Sequence, residues 1–187
     1  SPIFYKKDRF KYLEGGTFWI SPTPEKVGVK GWDAALPRIC SYVRLQDKQT
    51  KVKFWFFNLH MDHVGIEARR EGAKLIIKQV LEMCGNEPAI VTGDFNVDQN
   101  NEAYHTMLQG GVMKDSYEAA AEKFATNGTF NSFNADLHTE SRIDHIFVSP
   151  EFKTHEYGIL THNWWSPIEV TPEMQAQIDA GVEDVVC

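Results

Sequence analysis

Four stretches of the chain have the hydrophobic pattern of β-strands. Arg38–Leu45 alternates loosely between apolar and polar residues, and Lys51–His60 is rich in aromatic and β-branched residues, with the turn-like sequence DKQT between them. Pro88–Phe95 is a short apolar run, which is typical of a strand buried on both faces. Ser141–Ser149 alternates, so two sets of side chains should face opposite ways: Ile143, His145 and Phe147 on one side, and Asp144, Ile146 and Val148 on the other.

Helical patterns separate these strands. Between Ile66 and Cys84 the apolar residues recur every three or four positions, which predicts an amphipathic helix. Asp62 is the expected N-cap of this helix, and Gly85 is its expected end. Three shorter helices are predicted: Glu102 to Gln109, with Asp98 as cap and Gly110 and Gly111 as stop; Tyr117 to Phe124; and Pro172 to Ala180, with Thr171 as cap and Gly181 as stop.

This alternation of strands and helices, with one hairpin, favours an α/β sandwich built on a mixed sheet. The 187 residues suffice for one domain with a core, and 42% hydrophobic with 24% charged residues is the composition of a globular chain. The sequence contains no run of about 18 apolar residues that could span a membrane. Its three cysteines fit neither a zinc motif nor a disulfide framework, and Cys40 and Cys84 are predicted to lie in the core.

The formal net charge of −7 disfavours long duplex DNA as the partner, because nonspecific DNA binding normally requires a basic surface. The one dense basic stretch, Tyr5–Lys11, is interpreted as a solvated strand face or hairpin, with a phosphate-attracting patch as the alternative. A bound divalent cation would reverse the potential of an acidic site, so the net charge does not exclude a phosphate-bearing substrate.

Candidate catalytic side chains cluster at three strand ends. The sequence NLHMDH brings four of them to the end of the aromatic strand: Asn58, His60, Asp62 and His63. VTGDFN places Asp94 and Asn96 at the end of the apolar strand, with Phe95 expected to turn toward the core, and RIDHIF places Asp144 within the last strand. Because ligands gather near strand ends in such sheets, these groups should converge.

Each candidate also has a purely structural interpretation. A histidine after a strand is commonly a surface or satisfied core residue, and an aspartate after a glycine commonly forms a turn. Asp144 is harder to explain in this way, since it lies among apolar residues and a buried carboxylate is costly unless it is paired or bound to a metal. Its purely structural interpretation is a partner only, Arg142 or His145. The remaining histidines are assigned no role: His105, His138, His155 and His162.

The chemistry of the set suits cleavage of a phosphoester. Aspartate oxygens bind Mg²⁺ or Mn²⁺, and an aspartate beside the metal can orient and deprotonate an attacking water. An asparagine amide can donate to a phosphoryl oxygen, and a histidine can stabilise the charge that develops there.

In these motifs the chain resembles the endonuclease/exonuclease/phosphatase superfamily, the DNase I-like group of metal-dependent phosphoesterases. The resemblance rests on NLHMDH, VTGDFN and RIDHIFVS in that order, with a helix between the first two and Gly128-Thr129-Phe130 before the third. GWDAALPRICSYVRL also fits the strand that precedes the histidine motif. The resemblance implies a four-layer α/β sandwich with two packed mixed sheets flanked by helices.

The resemblance also implies a role for each matched residue. Asp94 would orient the nucleophilic water, Asn96 would bind the scissile phosphate, and His60 would contact a phosphate oxygen. Asp144 would fix a second catalytic histidine, and Arg38 would bind substrate at the rim of the site. Asp94 and Asn96 would take part in holding Mg²⁺ or Mn²⁺.

Two family motifs are not found in the sequence. The family has an N-terminal strand with Asn and a following Glu, the principal metal ligand, and a C-terminal Ser-Asp-His motif with the second histidine. We therefore expect residues 1–187 to be the central and C-terminal portion of a single domain of this family, truncated at both ends. Such a portion is expected to bind metal poorly and to lack activity by itself, whereas the full-length parent would be the enzyme.

Two other functions remain open from the sequence. One is a catalytically inactive binding module of the same fold, and the other is a zinc hydrolase that uses His60, Asp62 and His63, with Asn58 in place of a first histidine. Within the hydrolase interpretation, the substrate could be a small molecule, a lipid head group or a nucleic acid. Three tryptophans could stack on a base or a sugar, although packing is their commoner role: Trp32, Trp164 and Trp165. We expect a monomer, and the location is left open, with secretion or a periplasmic location as an option if a leader has been removed.

Overall fold

The pattern of alternating and periodic segments is realised as eight strands and four helices in a computed structural model that describes residues 1–134, 137–160 and 171–180. The strands are β1 Phe10–Trp19, β2 Ile39–Asp47, β3 Lys53–His60, β4 Ala89–Asp94, β5 Lys114–Asp115, β6 Glu122–Phe124, β7 Asp144–Val148 and β8 Glu156–Gly158. The helices are α1 Ile66–Cys84, α2 Glu102–Leu108, α3 Ser116–Ala119 and α4 Pro172–Asp179, and a 3₁₀ turn covers Gln109–Gly111.

Six of the strands form one mixed sheet in the order β1-β2-β3-β4-β7-β5. Strands β3 and β4 are parallel, with α1 as the crossover between them, and the other neighbours in this sheet are antiparallel. The short strands β6 and β8 pair in parallel as a separate two-stranded sheet. This arrangement confirms the mixed α/β fold class that the sequence predicts.

The core lies between the helices and one face of the large sheet. The aromatic strand β3 contributes its buried alternate residues, and α1 contributes its apolar stripe to the same cluster: Trp55, Phe57 and Leu59 from the strand, and Ala73, Ile76 and Val80 from the helix. Cys40 and Cys84 belong to this cluster, which confirms them as core residues. Full burial of such side chains contributes about 1.5–3 kcal/mol each, so this face fixes the strand register from which the site is built.

The opposite face of the sheet is more polar. Ser41, Asn58 and Thr92 occupy one level across β2, β3 and β4. Asn58 donates from its side chain to the Pro2 carbonyl (2.9 Å), which ties the N-terminal segment to this face. The next level of the same face, two residues further along β3 and β4, contains His60 and Asp94.

The caps predicted for α1 and α2 are wrong in their residues. At α1 the N-cap is Gly65, which makes no side-chain cap bond, and the N–H groups of Glu67 and Ala68 donate instead to the carboxylate of Asp33 (3.2 and 2.7 Å). At α2 the cap is Asn101, whose side chain accepts from the Ala103 N–H. The aspartate of each loop accepts hydrogen bonds within the loop itself, so another residue caps the helix. At α1 this residue is distant in sequence, and at α2 it is the last polar residue before the helix.

The helix predicted from Tyr117 to Phe124 is correct only in its first half. The Asp115 side chain caps α3 by accepting from the Tyr117 N–H (2.8 Å), and the helix ends at Ala119. The chain then becomes extended as β6, because Glu122–Phe124 pairs with β8. This long-range pairing outweighs the local helical preference of the segment.

Several other predicted boundaries agree with the structure. Helix α1 spans Ile66–Cys84 and is followed by Gly85 with a positive φ of 57°. Pro172 is the first residue of α4, while the predicted stop Gly181 lies outside the described residues.

Strand β1 was not among the predicted strands, since two adjacent glycines interrupt its apolar pattern. In the described part of the chain, none of the helices has the length and apolarity that a membrane crossing requires.

Candidate active site

His60 and Asp94 form the centre of the candidate site, where the two parallel strands end. They are Cα partners in the β3–β4 register, so their side chains leave the sheet at the same level and on the same face. His60 Nε2 lies 3.3 Å from Asp94 Oδ2. Both side chains are accessible to solvent, at 48% and 29% of their surface. The predicted convergence of these two strand ends is therefore observed.

Gly93 holds the two strands close together directly beside this pair. A Cβ atom at this position would lie 2.1 Å from the Leu59 carbonyl oxygen, and the residue has a φ of +149°. Any side chain would therefore push β4 away from β3. The glycine of VTGDFN is explained by this close approach, which sets the separation of His60 and Asp94.

Asn96 forms a turn and also lies in the candidate site. Its backbone has a positive φ of 50°, a conformation that asparagine tolerates better than most residues. Its N–H donates to Asp94 Oδ1 (2.8 Å), and its side-chain Nδ2 donates to the Met61 carbonyl (3.0 Å). Between them Phe95 is fully buried and packs edge-on against Phe147, as the alternation predicts. GDFN is therefore a turn that also presents two polar side chains.

Asp144 forms a row with His60 and Asp94 across three strands, because it is the Cα partner of Asp94 across β4 and β7. Its N–H donates to the hydroxyl of Thr129 (3.1 Å). The side chain is solvent-exposed by area, yet the surrounding protein still desolvates the carboxyl group in part. This desolvation raises the pKa of Asp144, the Thr129 hydroxyl opposes the shift, and the charge of Asp94 adds to it.

The purely structural interpretation of Asp144, a buried carboxylate with only Arg142 or His145 as its partner, is wrong. Arg142 is buried on the other side of the strand and pairs with Asp115 (3.0 Å) and Glu118 (3.2 Å). His145 is also buried, with Nε2 2.9 Å from the Val97 carbonyl. Alternation explains the case of His145, since successive side chains of β7 point to opposite faces and Asp144 falls on the open one. Arg142 precedes β7, and its guanidinium is engaged by the two other carboxylates.

Asp62 has a structural role beside the site. It is 2% exposed, and Oδ1 accepts from the N–H groups of Val64 (3.0 Å) and Gly65 (2.8 Å). Its other oxygen accepts from the Leu36 N–H (3.2 Å) and from Arg38 Nε (3.4 Å). Burial alone would raise the pKa of Asp62, but these N–H groups outweigh it and the pKa lies below its usual range.

Arg38 lies at the same end of the sheet as His60, since it precedes β2 and Cys40 pairs with Leu59. Its guanidinium contacts Asp62 and lies 3.0 Å from His63 Nδ1 through Nη2. These two contacts tie the guanidinium to the loop that follows β3. The role of Arg38 at the rim of the site stays a prediction.

These contacts do not form the zinc site considered from the sequence. Asp62 uses both oxygens on N–H donors, and His63 faces a guanidinium. Within residues 1–134, 137–160 and 171–180, no group of three or more His, Cys, Asp or Glu side chains is placed to hold a metal ion. The candidate side-chain oxygen ligands for a metal in or beside this row belong to Asp94, Asn96 and Asp144.

The remaining histidines and tryptophans considered from the sequence are exposed, pack against the core, or lie outside the described residues. Trp32 packs against the hydrophobic core, which is its commoner role. Three of the unassigned histidines are exposed: His105, His138 and His155. His162, Trp164 and Trp165 lie outside the described residues.

Thr129 and Asp33 are the two residues near the site whose contacts the sequence pattern does not predict. Thr129 accepts from the backbone of Ile143 and Asp144, at separations of 14 and 15 residues. Asp33 caps α1 from 34 and 35 residues away. Hydrophobic periodicity carries no signal for such contacts, and the Gly-Thr-Phe sequence before β7 was the one local indication for Thr129.

Comparison with known proteins first defines the class. Residues 3–166 match the Endonuclease/Exonuclease/phosphatase family, and the chain belongs to that family. A mannosyl-6-phosphatase of Bacteroides thetaiotaomicron VPI-5482 has a similar structure, with a TM-score of 0.83 and 50% sequence identity over 88% of this chain and 62% of that one. An endonuclease/exonuclease/phosphatase family protein from Bacteroides thetaiotaomicron also has a TM-score of 0.83, with 51% identity over 87% of this chain and 59% of that one.

A curated relative shows the same partial coverage. An uncharacterized protein of Acanthamoeba polyphaga mimivirus is 26% identical over a 140-residue alignment that covers 69% of this chain and 50% of the relative. The chain thus spans about half the length of that relative and 59–62% of the two Bacteroides chains.

Proposed function

We propose that this protein is a phosphoester hydrolase that uses Mg²⁺ or Mn²⁺ and activates the attacking water at Asp94. The observation that supports the proposal most is the row of His60, Asp94 and Asp144 at one level of three neighbouring strands. Membership of the family and the likeness to a mannosyl-6-phosphatase agree with it.

Asp94 is suited to the role of base. Its Oδ1 is held by the Asn96 N–H at 2.8 Å, which orients the carboxylate. Its Oδ2 faces His60 and solvent, so a water molecule can reach it. A carboxylate oriented in this way can align a water for attack on phosphorus and accept its proton.

Asn96 and His60 are suited to bind the phosphate. The Asn96 amide has two N–H donors, of which one is used by Met61, so the second can donate to a phosphoryl oxygen. His60, accessible at 48% of its side chain, can donate to a neighbouring oxygen on which charge develops. Arg38 offers further guanidinium N–H groups from the rim, and this planar cation matches phosphate geometry.

The oxygen donors of the site fit a hard divalent cation better than zinc. Asp94 and Asn96 would hold Mg²⁺ or Mn²⁺, with the carboxylate of Asp144 next to them in the row. Mg²⁺ is commonly bound by one or two carboxylates and keeps several waters, so a cage of three acidic side chains is not required. When bound, the ion would supply positive charge for the phosphate in the transition state.

A phosphate monoester of a sugar is the first substrate class to test. The proposal draws on the 50% identity to a protein described as a mannosyl-6-phosphatase. A small phosphomonoester also agrees with the net charge of −7, which disfavours long duplex DNA.

The test is metal-dependent hydrolysis by the 187-residue chain and by the product of the complete reading frame. Mannose 6-phosphate, p-nitrophenyl phosphate, bis-p-nitrophenyl phosphate and plasmid DNA are offered with Mg²⁺, with Mn²⁺ and with EDTA. We expect EDTA-sensitive phosphate release from at least one substrate by the complete protein. Absence of EDTA-sensitive turnover on all four would reject the proposal.

A non-catalytic binding module is the second candidate. One observation favours it: the described residues contain no group of three acidic, histidine or cysteine side chains that could hold a metal. This candidate predicts that the complete protein binds a phosphate ester, measured by calorimetry, with the same affinity in Mg²⁺ and in EDTA and without turnover.

A further inference from the structure

Thr129 lies in the loop before β7 and accepts two hydrogen bonds through one hydroxyl group. Its Oγ1 accepts from the N–H of Ile143 at 2.9 Å and from the N–H of Asp144 at 3.1 Å. The same hydroxyl acts to lower the pKa of the Asp144 carboxyl group. Thr129 thus holds the backbone at the start of β7, where Asp144 lies.

The hydrogen inventory of a hydroxyl determines the direction of these bonds. A threonine hydroxyl has two acceptor lone pairs and one O–H donor. The N–H groups of Ile143 and Asp144 occupy the two lone pairs, so the O–H is left free to donate. The carboxylate whose pKa the hydroxyl acts to lower is that of Asp144, which makes it the acceptor we assign.

The loop that carries Thr129 is itself held in place. Gly128 packs so tightly on Ser141 that a Cβ atom would lie 2.4 Å from the Ser141 carbonyl oxygen. The Thr129 N–H donates to that same oxygen (3.0 Å). Phe95 donates its N–H to the Ile143 carbonyl (2.8 Å), which fixes the other side of the strand. The donor is therefore presented from a rigid support.

We infer that Thr129 is a positioning residue for Asp144, holding its backbone and aiming its carboxylate at the site beside Asp94. The inference rests on the proposed function in so far as Asp144 acts in hydrolysis. A carboxylate at a strand end would otherwise rotate freely about two torsions, and a fixed donor restricts it to one orientation. Thr129 needs no contact with the substrate to have this effect.

The test uses variants that separate the shape of the side chain from its hydroxyl. Thr129→Val keeps the shape and removes the hydroxyl, whereas Thr129→Ser keeps the hydroxyl. The control is Thr139→Val, because Thr139 Oγ1 also accepts a backbone N–H in this segment, that of Ser141 at 3.1 Å. Each is measured as kcat and KM on the complete protein with the best substrate, alone and combined with Asp144→Ala.

We expect Thr129→Val to lower kcat about tenfold to a hundredfold with KM within a factor of about three, which is the size of a hydrogen bond to a charged group. Thr129→Ser should restore kcat to within about threefold, and Thr139→Val should leave it within about twofold. In the Asp144→Ala background, Thr129→Val should have almost no further effect. An equal loss in that background, or a Ser variant as impaired as the Val variant, would overturn the inference.

A spectroscopic measurement separates this inference from the proposed function. Hydrogen exchange of the Ile143 and Asp144 amides, followed by NMR without substrate, should be faster in Thr129→Val and unchanged in Thr129→Ser. If the complete protein shows no turnover but the exchange pattern is as expected, the proposed hydrolysis fails while the contact stands. If exchange is unchanged in Thr129→Val, the positioning role fails whatever the activity.

Discussion

Two neighbouring loops, each following one strand of the parallel pair, use an aspartate in opposite ways. The β3–α1 loop contains Asp62, which is 2% exposed, and the β4–α2 loop follows Asp94, whose side chain is 29% exposed. Both aspartates follow an apolar strand and precede a helix, so local sequence gives them the same description. The two carboxylates differ in the number of hydrogen bonds that each already accepts.

The carboxylate of Asp62 is saturated, whereas that of Asp94 is not. Asp62 accepts from three backbone N–H groups and from Arg38, with both oxygens engaged. Asp94 accepts from the backbone N–H of Asn96, and its second oxygen faces His60. A saturated carboxylate stabilises a loop, while an accessible oxygen beside a histidine can take part in chemistry. Donor saturation therefore separates the two roles.

The strongest test of this comparison is Asp94→Asn. The asparagine oxygen can still accept from the Asn96 N–H, so the loop should keep its structure, but the base and its charge are lost. We expect kcat of the complete protein to fall about 10³-fold and the unfolding midpoint in urea to remain unchanged. Asp98→Asn is the matched control, because the Asp98 side chain accepts only from the Asn100 N–H among the described contacts. Near-normal kcat in Asp94→Asn would remove Asp94 from the proposed role.

The reverse result is expected for Asp62→Asn. An amide NH₂ group would face either the Leu36 N–H and Arg38 or the N–H groups of Val64 and Gly65, so buried donors would oppose each other. We expect the free energy of unfolding to fall by about 3 kcal/mol, measured by urea denaturation. The change in kcat should be far smaller than for Asp94→Asn.

The pH dependence of that stability loss follows from the lowered pKa of Asp62. A depressed folded pKa means that the contribution is complete above the unfolded pKa of about 3.9 and is lost as the pH falls toward the folded value. The gap between the wild type and Asp62→Asn should therefore be constant from about pH 5 to 8 and shrink below about pH 4. A gap that grows on acidification would contradict the assignment.

The sequence predicts what depends on local pattern. Strand β3, strand β4 and helix α1 follow from aromatic, apolar and helical periodicity, and the strand ends identify His60 and Asp94. The buried Phe95 between two polar residues follows from alternation in the same way.

What the sequence does not predict depends on contacts between distant residues. The cap of α1 comes from Asp33, the partner of Arg142 is Asp115, 27 residues away, and the second half of the predicted third helix pairs with β8 instead. The number of hydrogen-bond donors around a carboxylate also depends on tertiary contacts. For this reason the sequence pattern assigned Asp62 to a cap that it does not form. Asp144 was expected to be buried for the same reason, but Ile146 shares its open face, and the buried residues His145 and Phe147 lie on the opposite face.

Substitutions at the helix caps, at the other end of each loop, should change stability least. Asn101→Ala removes the side chain that accepts from the Ala103 N–H (2.9 Å), and we expect a loss of about 1 kcal/mol in the free energy of unfolding. Asp98→Ala, which removes the residue that sequence pattern favours as cap, should change it by less than about 0.5 kcal/mol. Asp33→Ala removes the acceptor of two N–H groups of α1 and should exceed the Asn101 effect. If urea denaturation gives a larger loss for Asp98→Ala than for Asn101→Ala, the cap assignment is wrong, and with it the view that each loop aspartate serves its own loop rather than the helix that follows.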